Sequence, residues 1–231
     1  GSMRKTPGAR LCPEELFNMH FNKTITRFLL VVLIVICIGL VFDKRIALFV
    51  QKTWAYGDRL ALFSSDIPDL LFLFVCLITA IAWAAYFYLA RKGIYNTHTR
   101  FFQLIAITTP LTFFLKSLLK YVFGRINTRY WLGHPGLVEF HWFDGSENFS
   151  GFPSGHMAVF TALAVALWKF YPRYRREYVG FLAFLALALI VTDYHFISDI
   201  IAGVYVGFIV DHVTASVLTF VLKSKAEKQA T

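Results

Sequence analysis

Marking apolar and polar positions along the chain separates six apolar runs, at roughly 25–42, 69–90, 101–123, 154–171, 178–194 and 200–222. About 20 apolar residues suffice for a helix to cross a bilayer, so each run predicts a membrane-crossing segment. A helix is the only form open to a lone segment in lipid, because an isolated strand leaves its backbone N–H and C=O groups unsatisfied there. The first run is short: Phe28 to Phe42 gives fifteen uncharged residues between Arg27 and Asp43. It reaches spanning length only with Ile25 and Thr26 or with snorkelling flanks. The fourth and fifth runs are similarly short. Before the first run, Pro13-Glu14-Glu15 followed by Leu16, Phe17, Met19 and Phe21 predicts a short amphipathic helix lying on the membrane surface. In 43–68, Phe49, Trp54, Tyr56 and Phe63 alternate with charges, which predicts an interfacial loop. No internal repeat or low-complexity stretch is visible.

Composition turns this pattern into a class. The 231 residues are 57% hydrophobic and 16% charged, against about 45–50% and about 25% in soluble domains. Twenty-five Phe and a mean hydropathy of +0.57 leave too much apolar surface for a water-facing globule. Disordered, collagenous and small secreted classes are excluded. Cys12, Cys37 and Cys76 give no disulfide framework, and the last two sit in apolar runs as small hydrophobes. Gly1-Ser2 ahead of Met3 reads as an expression scar, and with no cleavable signal pattern after it the first run is expected to stay as an anchor. The expected fold is all-α: a polytopic membrane helical bundle of about six transmembrane helices with a short N-terminal interfacial helix. Its parts are 1–24 (tag remnant and interfacial segment), 25–223 (membrane domain) and 224–231 (cytoplasmic tail).

The net charge of +9 reads as topology rather than nucleic-acid binding. Fifteen Lys and Arg fall before the first run and in the segments after the second, fourth and sixth, and six fall on the opposite side. Both termini are therefore expected in the cytoplasm, of a bacterial inner membrane, with 43–68, 124–153 and 193–199 outside. Lys44-Arg45, beside the first run, is the one discordant pair.

Three polar groupings carry candidate chemistry. Pro153-Ser154-Gly155-His156 precedes an apolar run. It reads as a helix start whose free N–H groups form an anion site with His156 as proton donor, or as a plain N-cap beside an interfacial His. In Asp193-Tyr194-His195-Phe196-Ile197-Ser198-Asp199, the i, i+4 spacing of His195 and Asp199 lets them touch on one helix face. A carboxylate on one ring nitrogen fixes the tautomer and frees the other as nucleophile or base, or the two form a structural cap. Third come Lys120, Arg125 and Arg129. They suit phosphate recognition, or are snorkelling and loop charges.

Together these resemble the membrane-bound type 2 phosphatidic acid phosphatase superfamily, whose motifs run Lys-x6-Arg-Pro, Pro-Ser-Gly-His and Ser-Arg-x5-His-x3-Asp. Pro153 to His156, His195 with Asp199, and Lys120 with Gly124-Arg125 carry the resemblance, over roughly 100–223. Two positions depart from it: Asn127-Thr128 replaces Arg-Pro, and Ala188-Leu189 replaces Ser-Arg. Arg125 and Arg129 flank the first gap. The resemblance implies a lipid phosphatase or pyrophosphatase acting on a substrate such as phosphatidic acid, phosphatidylglycerophosphate, polyprenyl diphosphate or a lipid A phosphate. It implies that His195 attacks phosphorus to give a phosphohistidine, Asp199 orients it, and His156 serves as acid and then base. Lys120, Arg125, Arg129 and the N–H groups of Ser154 and Gly155 would hold the phosphate oxygens. No metal or other cofactor is expected, since His20, His98, His134, His141 and His212 lack companions at ligand spacing. Partners are the lipid phosphate and membrane lipids, with no nucleic acid and no obligate protein partner. A lipid phosphotransferase, a non-catalytic lipid-binding protein and a bis-His haem protein remain alternatives. Asp211-His212, mid-run, suggests a helix–helix hydrogen bond.

Overall fold

Each apolar run from the second onward folds as one helix, with ends within four residues of the predicted limits except at the C-terminus, where the last helix runs eight residues further. The computed structural model describes residues 26, 27, 30–35, 37–54 and 67–230. The expected N-terminal interfacial segment lies outside these. The helices are α1 (Lys44–Trp54), α2 (Ile67–Arg91), α3 (Thr97–Phe123), the short α4 (Thr128–Gly133), α5 (Gly155–Phe170), α6 (Arg175–Val191) and α7 (Ile197–Ala230). No strand occurs among the described residues. Among the described residues, three helical segments are long and apolar enough to cross a membrane: Leu70–Arg91, Thr97–Phe123 and Ile197–Leu222. Gly155–Phe170 is apolar but shorter. Large side chains such as Phe72, Leu73, Phe114, Phe181 and Phe184 face outward on these helices, an arrangement that lipid tolerates and water does not.

One expectation changes. Residues 44–54 are not an interfacial loop: a π-helical turn, Gly39–Asp43, joins the first helical run directly to α1. Ala47 and Val50, three residues apart, are buried on one side of α1, while Arg45, Gln51 and Lys52 stay exposed. At the other end α7 runs on through the expected tail to Ala230, where Lys, Ala and Glu favour helix.

The centre of the bundle is α5, packed between α3, α6 and α7. It can sit there because its inward face is small: Gly155, Ala158, Ala162, Ala164 and Ala166 are buried. The opposing face of α7 carries Gly203 and Gly207. A Cβ on Gly207 would stand 2.2 Å from the Ala158 carbonyl oxygen, and one on Gly203 2.5 Å from that of Ser154. The two backbones are therefore in contact, as small-xxx-small pairs permit between membrane helices. That contact brings the N-termini of α5 and α7 together with the C-terminus of α3 at one end of the bundle. Gly207→Ala should cost about 1–3 kcal/mol by overpacking, read as a Tm lower by several degrees in detergent. Gly180→Ala, where a Cβ meets nothing within 4 Å, should leave Tm unchanged or slightly higher. Equal Tm in both variants would contradict the backbone contact.

Candidate active site

The helix α3 ends at Gly124, which adopts a left-handed φ of 48° and donates its N–H to the Lys120 carbonyl at 2.9 Å. The chain beyond is held extended on both sides. Ile126 N–H donates to Glu139 O and Gly151 N–H to Arg125 O, each at 2.8 Å. This clasp drives Arg125 inward until it is 2% exposed, between the rings of Phe196 and Phe140, 4.6 and 5.3 Å from its guanidinium. One Arg125 terminal nitrogen donates to Ser198 Oγ at 2.5 Å and to Asp199 Oδ1 at 2.6 Å. The other donates to Asp43 Oδ2 at 2.8 Å and reaches Glu139 at 3.4 Å. Asp43 also accepts from the Ser198 N–H at 3.1 Å and from the Ser198 hydroxyl. Burial works against the Arg125 charge, but Asp199 and Asp43 more than offset it and keep the guanidinium above its ordinary pKa. Both terminal nitrogens of Arg125 are thus engaged by protein oxygens, while its buried Nε has no partner among the described residues.

Asp199 passes this order to His195. Because α7 begins only at Ile197, the pair meets across the helix's first turn rather than along one helical face. Asp199 Oδ2 accepts from the Phe196 N–H at 3.1 Å and lies 3.6 Å from His195 Nδ1, just beyond hydrogen-bond length. His195 is 4% exposed. Burial pulls its imidazole below the ordinary pKa, against the opposing pull of Asp199, which favours the neutral ring that a nucleophile requires. On α5, Ser154 is the N-cap: its hydroxyl accepts from the Met157 N–H at 3.5 Å, while its own N–H donates to the Asp199 carbonyl at 3.0 Å. Ser154 therefore fastens α5 to α7, and its N–H is occupied. The Gly155 N–H has no partner among the described residues.

His156 follows in the first turn of α5, its ring 5.9 Å from that of Tyr194, which in turn lies 5.0 Å from the His195 ring. Lys116, Lys120 and His195 all lie within electrostatic reach of His156. The structure therefore brings Lys120, Ser154, Gly155, His156, His195 and Asp199 to one place. Arg129 reaches the site through Tyr194: its Nε and one terminal nitrogen donate to the Thr192 carbonyl at 3.1 and 2.8 Å, and its guanidinium lies 5.3 Å over the Tyr194 ring. It braces the turn that carries His195.

The sequence reading missed Asp43, Glu139, Ser198, Tyr194 and Lys116. Only a charge-pattern oddity pointed toward the first two. The discordant Lys44 pairs with Glu139 at 2.6 Å, beside Asp43. Asp211 does bond between helices, accepting from Lys169 of α5. No group of three or more His, Cys, Asp or Glu among the described residues could hold a metal ion.

Against known proteins, the family model of the PAP2 superfamily matches residues 101–222. The chain is also similar to the lipid A 1-phosphatases of Rhizobium johnstonii and Rhizobium etli, at 32% identity over 93 residues in each. That segment is 40% of this chain and 38% and 40% of those proteins, so the chain spans about two fifths of the length of the curated relatives it matches. No solved structure matches the chain.

The turn before His195 carries a pH signature. Burial lifts the Asp193 carboxyl from 3.8 to about 6, against the pull of Arg129 in the other direction. Between those values the folded chain binds more protons than the unfolded one, so stability falls as pH rises through that window. Wild type should therefore lose Tm relative to Asp193→Asn between pH 4 and 6, with a constant difference above it. A pH-independent difference between the two would contradict the assignment.

Proposed function

The chain belongs to the PAP2 superfamily, and from that premise and the geometry above we propose that it is an integral membrane lipid phosphatase working through a phosphohistidine on His195. The observation that carries this reading is the buried His195, with Asp199 Oδ2 3.6 Å from its Nδ1 and Asp199 Oδ1 held by Arg125 at 2.6 Å. The other His195 nitrogen attacks phosphorus in line as the bond to the leaving oxygen breaks, and His156 protonates that oxygen. In the second half, His156 takes a proton from water, which attacks the phosphohistidine and releases inorganic phosphate. Asp199 steadies the imidazolium formed in between.

Lys120 and the Gly155 N–H at the α5 N-terminus hold the phosphate oxygens, where the helix dipole favours negative charge. Arg125 acts one step back, through Asp199, and Arg129 acts through the Thr192–Tyr194 turn. With fixed cations at the phosphate, the proposed chemistry calls for no metal. An apolar cavity of about 310 Å³, walled by Val31, Val35, Leu119, Phe123, Phe152 and Val206, lies on the Arg125, Glu139 and Ser198 side of the charge cluster, and Lys120, His156 and His195 are not in its lining. The names of the two relatives make a lipid A phosphate the first substrate to test. The charge split of the sequence supports both termini inside and the site facing outward.

Purified protein in detergent should release phosphate from lipid phosphates in the presence of EDTA, and vanadate should inhibit it. His195→Ala should abolish turnover. His156→Ala should lower kcat by roughly 10²–10⁴-fold with lipid substrates and by less with aryl phosphates, whose leaving groups need little protonation. Turnover retained in His195→Ala would overturn the mechanism.

A further inference from the structure

The formal charges around the site do not cancel, and the excess sits on one residue. Three carboxylates, Asp43, Asp199 and Glu139, face three cations. Arg125 meets all three, Lys44 pairs with Glu139, and Lys120 acts on Asp199 across a longer gap. Lys116 is left over. It lies one helical turn before Lys120, on the same face of α3, so the two ammonium groups repel. Among the described residues no carboxylate pairs with Lys116, whereas Lys44, Arg125 and Lys169 each have one.

The path of its side chain adds a second observation. Lys116 is half-buried, and its Cδ and Cε pass 3.2 and 3.5 Å from where a Cβ on Gly155 would stand. Its stem therefore runs across the first residue of α5, where a larger residue would displace it. Its ammonium rests 3.9 Å from the centre of the Phe113 ring, a contact worth far less than an ion pair when a phosphate is available. One bond separates that ammonium from the Cε beside Gly155, so rotation of the stem carries the charge to the α5 N-terminus without moving the backbone. A like-charged pair beside a helix N-terminus, neither member in an ion pair among the described residues, is an arrangement that an incoming anion stabilises.

We propose that Lys116 is a second phosphate-binding cation of this site, turning from Phe113 over Gly155 to share with Lys120 the anion held at the α5 N-terminus. It supplies the charge that Arg125, tied to Asp43 and Asp199, does not. This rests on the phosphatase reading above. An unpaired, partly desolvated ammonium costs the empty protein stability, which separates a binding role from a structural one.

The test uses the full chain in detergent, with Lys116→Gln, Lys116→Arg and Lys120→Gln compared for phosphate release and for thermal stability with and without vanadate. Lys116→Gln should lower kcat/KM by about 10- to 100-fold and lose most of the Tm rise that vanadate gives wild type. Its ligand-free Tm should equal or exceed wild type, and Lys116→Arg should recover part of both losses. If Lys116→Gln keeps kcat/KM and the vanadate response within twofold while Lys120→Gln loses both, Lys116 is only a stem packed on Phe113 and the proposal is wrong. A ligand-free Tm that falls together with activity would likewise assign it a structural role. Failure of the phosphatase reading looks different: wild type itself would neither release phosphate nor respond to vanadate.

Discussion

Everything at the reactive end of this molecule depends on one buried guanidinium. Arg125 is 2% exposed and holds Asp43, Asp199 and Ser198 within hydrogen-bond distance, with Glu139 at its edge. These groups come from four separate places: the turn ahead of α1, the start of α7, the extended segment after α3 and the loop that pairs with it. A buried ion pair gains little over a well-packed apolar contact, but removing one partner strands a charge and costs several kcal/mol. The arrangement therefore acts as a constraint on geometry. It allows one relative placement of those four segments, and Asp199 faces His195 only in that placement. Asp43 lies ahead of the region matched by the family model, which begins at residue 101. The site thus draws part of its framework from the π-helical turn ahead of α1.

The second constraint is steric. Gly203 and Gly207 let α7 approach α5 backbone to backbone, and the contact ends in the Ser154 N–H to Asp199 carbonyl bond. The same carboxylate residue is thus fixed twice, by its side chain through Arg125 and by its backbone through Ser154. Beside this framework stand an α5 N-terminus, two lysines one turn apart on α3 that are in no ion pair among the described residues, and the buried imidazole of His195 near that of His156. Rigid charge behind the site and unspent charge within it is the division of labour expected of electrostatic preorganisation.

Much of this was legible in the residues. Long apolar runs dictate helices in a chain this poor in charge, so α2, α3, α5, α6 and the start of α7 were placed to within a few residues. The grouping of Lys120, His156, His195 and Asp199 followed from motif spacing. The helix α1 was obscured because its aromatic and charged residues resemble an interfacial loop, while its buried side needs only Ala47 and Val50. The contacts of Arg125 were not legible, because an arginine that binds phosphate and one that binds Asp43 look alike in sequence. The carboxylate that decides between them is 82 residues away. Lys116 was hidden for a similar reason: within an apolar run, a lysine reads as a snorkelling side chain unless its neighbours are known.

The central claim is that Arg125 works through carboxylates rather than on substrate directly, and a double-mutant cycle between Asp43→Asn and Arg125→Met, read as kcat/KM for phosphate release, tests it most directly. If the two residues act as one positioning unit, each single variant loses activity and the double variant is little worse than the poorer single one. If the losses instead multiply, with a coupling below about 0.5 kcal/mol, Asp43 and Arg125 act independently and the account is contradicted.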